Sequence, residues 1–149
     1  MGRRGERSGD SRHYFDWLEF ASQDLLAARI LLEESQCLPS AAFHCQQCIE
    51  KALKAYVLFR KGLHVDGHNL TWLCRQAVKI DSSFRQWMDE SAFLNRYYIE
   101  TRYPSDHTLP LTKDRLQRVY SMAQDMYNFI CKEVYGDLDE INLSEQEST

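Results

Sequence analysis

Apolar residues recur along this chain at alternating spacings of four and three, the pattern of helices that each bury one face. Between residues 14 and 34 the stripe is Tyr14, Leu18, Ala21, Leu25, Ala28 and Leu32. Pro39 stops or restarts the chain, and the same spacing resumes with Ala42, Cys45, Ile49, Ala52, Tyr56 and Phe59 until Gly62 ends a second helix. Small residues lead this second stripe, so a neighbouring helix can approach closely there. The two glycines of GLHVDGH make a loop, after which Leu70, Leu73, Ala77 and Ile80 mark a shorter third helix closed by Asp81 and Ser82. Ser83 is placed to cap a fourth helix that carries Phe84, Trp87, Met88 and Leu94 and runs towards Tyr98. Pro104 and Pro110 bracket a break, because proline lacks a backbone donor and disfavours helix in the residue before it. Thr112 then caps a fifth helix striped by Leu116, Val119, Ala123, Met126 and Ile130. No alternating strand pattern competes with these helices. The fold expected is all-α, an antiparallel up-and-down bundle of four long helices and one shorter helix, with Leu18, Leu25, Ala52, Tyr56, Val119 and Ala123 inside.

Length and composition fit one such core. The 149 residues, 44% of them hydrophobic and 12% aromatic, supply enough apolar surface for a single domain and too little chain for two. Residues 1–12 read as a flexible basic tail, 13–135 as the helical domain, and 136–149 as a flexible acidic tail. The net charge of −4 resides mostly in that last segment, since residues 13–135 hold 14 basic and 15 acidic side chains. A nearly neutral body gives nucleic acid no global attraction, although a local basic site remains compatible with it. No apolar run approaches a membrane span or a signal peptide, which points to a cytoplasmic protein without a membrane partner. The five cysteines are an odd number and lie mostly within helical stripes, as buried thiols in a reducing compartment do.

Three groups of residues carry candidate chemistry. His44, Cys45 and Cys48 in FHCQQC are ligand types for zinc, but no second ligand pair follows at a usable spacing, so small core side chains are the expectation and no metal or other cofactor is implied. Gln46, Gln47, Glu50, Lys51 and Lys54 form a polar strip on the second helix, with Glu50 and Lys54 four apart. That strip is either a solvated face with one salt bridge or one side of a groove for phosphate, in which Gln47, Lys51 and Lys54, with Tyr103, touch a nucleotide or RNA. His68 or Asn69 is placed to cap the third helix. Finally, RYPSDH separates Arg102 from His107 by four residues. Such a pair can cleave RNA without metal: the imidazole moves a proton at the 2′-hydroxyl or the leaving oxygen, and the guanidinium stabilises charge on the phosphorus oxygens. Spacing alone is weak evidence, because Arg7 and His13 stand in a similar relation. On an ideal helix positions 102 and 107 point about 140° apart, so convergence requires the Pro104 break or a second protomer.

AAFHCQQCIEKALKA over residues 41–55, GHNLTWL over 67–73 and TRYP over 101–104 together resemble the HEPN family, the "higher eukaryotes and prokaryotes nucleotide-binding" domains. The resemblance spans about residues 13–135 and places Gln47, Cys48, Glu50, Lys51, Ala52, Lys54 and Ala55 on the family's second-helix pattern. His68, Leu70 and Leu73 match its His-x-Leu helix start. What the resemblance implies is a helical bundle that forms a homodimer, often paired with a nucleotidyltransferase as toxin and antitoxin. Many members are metal-independent endoribonucleases with an Arg and a His, four to six residues apart, at the dimer cleft; Arg102 and His107 match. The chain departs from the toxins at Tyr103, where they commonly have Asn, Asp or His, and at Leu109, where a Tyr often follows. Two functions are open: a toxin-type ribonuclease in which two protomers supply a base and an acid, and a non-catalytic nucleotide-binding or scaffold dimer in which Arg102 is structural.

Overall fold

A computed structural model describes residues 9–98, 104 and 111–147, with residues 137–147 as backbone only. Among the described residues the chain is helical throughout, with no strand, in five α-helices: α1 (Tyr14–Glu34), α2 (Leu38–Lys61), α3 (Leu70–Ile80), α4 (Met88–Asn95) and α5 (Lys113–Glu147). Three are long and two short. The fourth stripe forms not one rod but a 3-10 segment Ser82–Trp87, then α4, then a 3-10 turn Arg96–Tyr98. Its cap is Asp81 rather than Ser83: the Asp81 carboxylate accepts the Ser83 backbone N–H at 2.9 Å. Hydrogen bonding to the ionised form holds the Asp81 carboxyl below the ordinary carboxylate value. The α5 backbone stays helical past residue 136.

The connections have local causes. Ser35 takes a left-handed conformation (φ 56°) and its N–H closes on the Leu32 carbonyl at 3.1 Å, which ends α1. Pro39 sits inside the first turn of α2, where its missing N–H has no helical partner to lose. At the other end Gly62 adopts φ 65° and donates to the Leu58 carbonyl at 2.8 Å, the termination that glycine enters without a Cβ penalty. Asn69, not His68, caps α3 by accepting the Trp72 N–H at 3.1 Å, and Asn95 reaches over from α4 to accept the Leu70 N–H at 2.9 Å. Thr112 caps α5 through its hydroxyl, as expected.

The core forms where α1, α2 and α5 meet. Tyr14 at the start of α1 packs edge-on against Phe59 near the end of α2 (4.9 Å between centroids) and lies 6.2 Å from Tyr135 of α5. Both neighbours therefore run opposite to α1. Ala21, Ala28, Ala42, Cys45, Cys48 and Ala52 have no accessible surface, so the small residues that lead the α2 stripe do bring helices together. All six side chains expected inside are buried. Tyr56 packs at a 40° tilt on Phe84, 4.4 Å between centroids, and Phe84 meets Phe129 of α5 edge-on at 5.2 Å; the short helices are pinned to the long ones through these rings.

Candidate functional site

Around the middle of α2 the bundle buries two carboxylates, and each is met by one lysine and one histidine. Asp24 projects from α1 beside Ala21, Leu25 and Ala28, on the face that packs on α2, and its side chain keeps 11% of its surface. Its two oxygens take Lys51 Nζ at 2.5 Å and His44 Nδ1 at 2.8 Å. One turn along, Glu50 is 4% exposed and takes His68 Nδ1 at 2.8 Å on Oε1 and Lys54 Nζ at 3.3 Å on Oε2. Gln46 and Gln47 amides approach the same Oε1 at 3.5 Å, and Gln46 also donates to the His68 carbonyl at 3.2 Å. An ionised carboxylate only accepts, so Nδ1 is the donating nitrogen in both imidazoles.

The polar strip is therefore not a solvated face. Glu50 and Lys54 make the i, i+4 ion pair expected of them, but inside the protein, and the charges of Lys51 and Lys54 go to carboxylates rather than to open solvent. Gln47 is half-buried and donates to Gln46 at 2.8 Å. On one flank Lys54 also lies over the Trp17 ring at 5.9 Å, and Trp17 meets His64 edge-on at 6.3 Å. On the other flank the His68 ring stacks on Tyr98, 4.4 Å between centroids and 15° between planes. Phe43 extends the row at 6.2 Å from Tyr98.

The cysteines of FHCQQC point the other way, into the core. Cys45 and Cys48 are fully buried, and burial, with Asp24 nearby, pushes the Cys45 thiol up to about 12. Burial raises Cys48 as well. Such thiols stay protonated and act as small hydrophobes. His44 faces Asp24 instead of joining them.

Arg102, Tyr103 and His107 lie outside the described residues. The structure brings together Gln47, Lys51 and Lys54, and adds Asp24, His44 and His68, which sequence spacing did not assign to a site. The aromatic side chains Trp87, Phe93, Tyr97 and Tyr98 near the end of the fourth stripe pack on the chain itself: Trp87 against Phe129, Phe93 against Tyr97 and Tyr98 on His68. Large apolar side chains are instead exposed along α1, where Phe15, Leu26 and Ile30 fall on one face.

Comparison with known proteins agrees with this architecture. The chain is 27% identical over 137 residues to the protein named "Putative toxin MJ1304" of Methanocaldococcus jannaschii, a match that covers 80% of this chain and 89% of that protein. Among solved structures it is similar to TT1696 from Thermus thermophilus, with TM-score 0.70 and 28% identity over 82% of this chain and 98% of the other. ST0689, described as an archaeal HEPN homologue, shares the fold at TM-score 0.65 and 23% identity, with the same coverage of 82% and 98%. The HEPN domain itself matches residues 14–134, from the first turn of α1 to the last core residue of α5, and the chain belongs to that family.

Proposed function

We propose that this HEPN protein is a toxin-type, metal-independent endoribonuclease that works as a homodimer and is paired with a nucleotidyltransferase antitoxin. The observation that carries the reading is the HEPN match across residues 14–134, which includes the Arg102 and His107 positions, together with the likeness to a protein named as a toxin. In this reading Arg102 stabilises the charge that builds on the phosphorus oxygens, and His107 moves a proton at the reacting oxygens. Neither task calls for a metal. Tyr103, Gln47, Lys51 and Lys54 border the bound RNA or nucleotide. Because Lys51 and Lys54 are neutralised by Asp24 and Glu50, the phosphate charge falls to Arg102. The exposed apolar face of α1 supports association of two copies.

The test is incubation of purified protein with RNA in the presence of a chelator. Cleavage that survives chelation, is lost in His107→Ala and falls nearly as far in Arg102→Ala is the expected result, with both variants still folded. RNA that stays intact with the parent protein leaves the non-catalytic, nucleotide-binding dimer. Cleavage that stops in chelator overturns the metal-independent chemistry.

A further inference from the structure

The fourth stripe buries polar atoms that neighbouring side chains do not satisfy. Phe84, Trp87, Ser91 and Leu94 follow one another three, four and three residues apart, and the face they mark on the Ser82–Trp87 segment and α4 turns inward. Phe84, Ser91 and Leu94 have no accessible surface, and the Phe84 and Trp87 rings both meet Phe129 of α5, at 5.2 Å and 5.6 Å. On the α3 side stands Cys74, fully buried, whose thiol donates to the Phe84 carbonyl at 3.6 Å. Burial raises that thiol, the Ser91 hydroxyl beside it acts in the opposite direction, and Glu90 raises it further, so Ser91 and Glu90 both lie near α3. On this face three atoms are closed to bulk solvent and make no hydrogen bond among the described residues: Trp87 Nε1, Glu90 Oε2 and Ser91 Oγ. All three belong to little more than one turn of chain.

Three such atoms side by side have one common explanation. A buried polar group without a partner destabilises the fold, and native interiors rarely keep one. Here an indole N–H that only donates, a carboxyl oxygen and a hydroxyl stand at the spacing where helical side chains are neighbours, yet they do not bond one another. The reason is local. At Trp87 (φ −105°, ψ 6°) the chain passes from 3-10 to α-helical winding, so side chains on either side of the junction do not take the separations of one regular helix. What fits between them must be small, because the face around it is closed. It must both donate and accept, and it must be neutral: a cation would meet the indole N–H, and an anion the Glu90 carboxyl. Water satisfies each condition, and about three polar partners are what a buried water ordinarily has. We propose that this face is a binding site for one buried water, which bridges Trp87 Nε1, Glu90 Oε2 and Ser91 Oγ. It accepts from the indole and its two hydrogens reach the carboxyl and the hydroxyl, which lets α4 pack a polar stripe against α3 and α5. The site stands independently of any cleavage of RNA.

A high-resolution crystal structure of the full chain tests the site directly. The expected result is an ordered water about 2.7–3.2 Å from all three atoms, in every copy of the chain. Direct hydrogen bonds among the three, or another side chain in the water's place, overturn the assignment. Thermal melting of Ser91→Ala is the second measurement, and its sign decides. Where the hydroxyl binds a water, the change takes a partner from that water and leaves the other two groups less well satisfied, so Tm should fall by about 3 °C or more. Where the hydroxyl has no partner, removing it relieves the cost of burying it, so an unchanged or raised Tm overturns the bridge.

Discussion

Among the described residues two ion pairs, both at i, i+4 spacing, should differ widely in what they contribute. Glu50 and Lys54 lie 3.3 Å apart with 5% and 13% of their side chains exposed; Arg29 and Glu33 lie 3.9 Å apart with 54% and 69% exposed. At an effective dielectric near 20, opposite charges about 3.3 Å apart attract by about 5 kcal/mol, much of it offset by taking both out of water. Removing one member of a buried pair exposes that hidden cost, commonly about 3–5 kcal/mol. Glu50→Gln keeps the shape and still accepts from His68, and Lys54 retains some access to water, so the lower end applies: about 3 kcal/mol. For a domain of this size that is a fall of about 10 °C in Tm. Glu33→Gln should stay within about 0.5 kcal/mol of wild type. Lys54→Met in the Glu50→Gln background should recover about 1 kcal/mol or more relative to the sum of the single changes, because both charges then leave together. Urea unfolding at one fixed protein concentration measures all four variants. A Glu50→Gln loss below about 1 kcal/mol, indistinguishable from Glu33→Gln, would refute the view that the strip on α2 is a buried, mutually dependent network.

Gly62→Ala should destabilise the protein by about 1 kcal/mol through its left-handed φ of 65° alone, since an added Cβ meets nothing within 4 Å; calorimetry reads the drop, and an unchanged Tm would count against the Gly62 termination. A thiol reagent under native conditions should label exposed Cys37 first and half-buried Cys131 more slowly, leaving Cys45, Cys48 and Cys74 unmodified until the protein unfolds, as mass spectrometry of the labelled protein would reveal. Asp81, held below its ordinary value of 3.8 by the Ser83 N–H, stabilises the fold above that pH and loses this contribution as pH falls through its lower folded-state value. Glu133, raised by burial and by Asp81, has the opposite sign, so Asp81→Asn should flatten the acid limb of the stability curve while Glu133→Gln should lift the neutral plateau.

The long helices are legible because one physical cause dominates them. In α1, α2 and α5 the spacing of Leu18, Leu25, Ala52, Tyr56, Val119 and Ala123 follows directly from a face turned to a common core, and no local signal opposes it. The fourth stripe is harder to read because its residues serve two geometries. Phe84 must reach Tyr56 and Phe129 from a tight 3-10 turn, and the ordinary helical period does not hold across that turn, so a continuous helix capped at Ser83 is the natural but wrong inference. Capping is similarly ambiguous where two candidates adjoin. Asp81 and Ser83 both offer an oxygen, and only the extended backbone of Asp81 (φ −144°) puts its carboxylate in front of the free N–H.

The site is less legible because its contacts join residues far apart in sequence. Spacing rules detect Glu50 with Lys54, but nothing local connects Asp24 with Lys51 or His68 with Glu50, which meet only when α1 and the α2–α3 loop fold onto α2. One signal is present in the α1 stripe itself: Asp24 adjoins Leu25 and lies near Ala21 and Ala28, a carboxylate beside the buried face that must find a cation to remain charged. Its complement is the excess of donors on α2, where two lysines and two glutamines share a strip with the single acid Glu50. Put together, these require the α2 lysines to face inward acids, and the consequence reaches function. A lysine paired with a carboxylate offers an incoming phosphate little net charge, whereas the same carboxylate fixes the orientation of a histidine ring that stays open to solvent. On this logic the α2 strip turns imidazole rings rather than free ammonium groups towards its surroundings, and His68, 51% exposed and stacked on Tyr98, is the more accessible of the two.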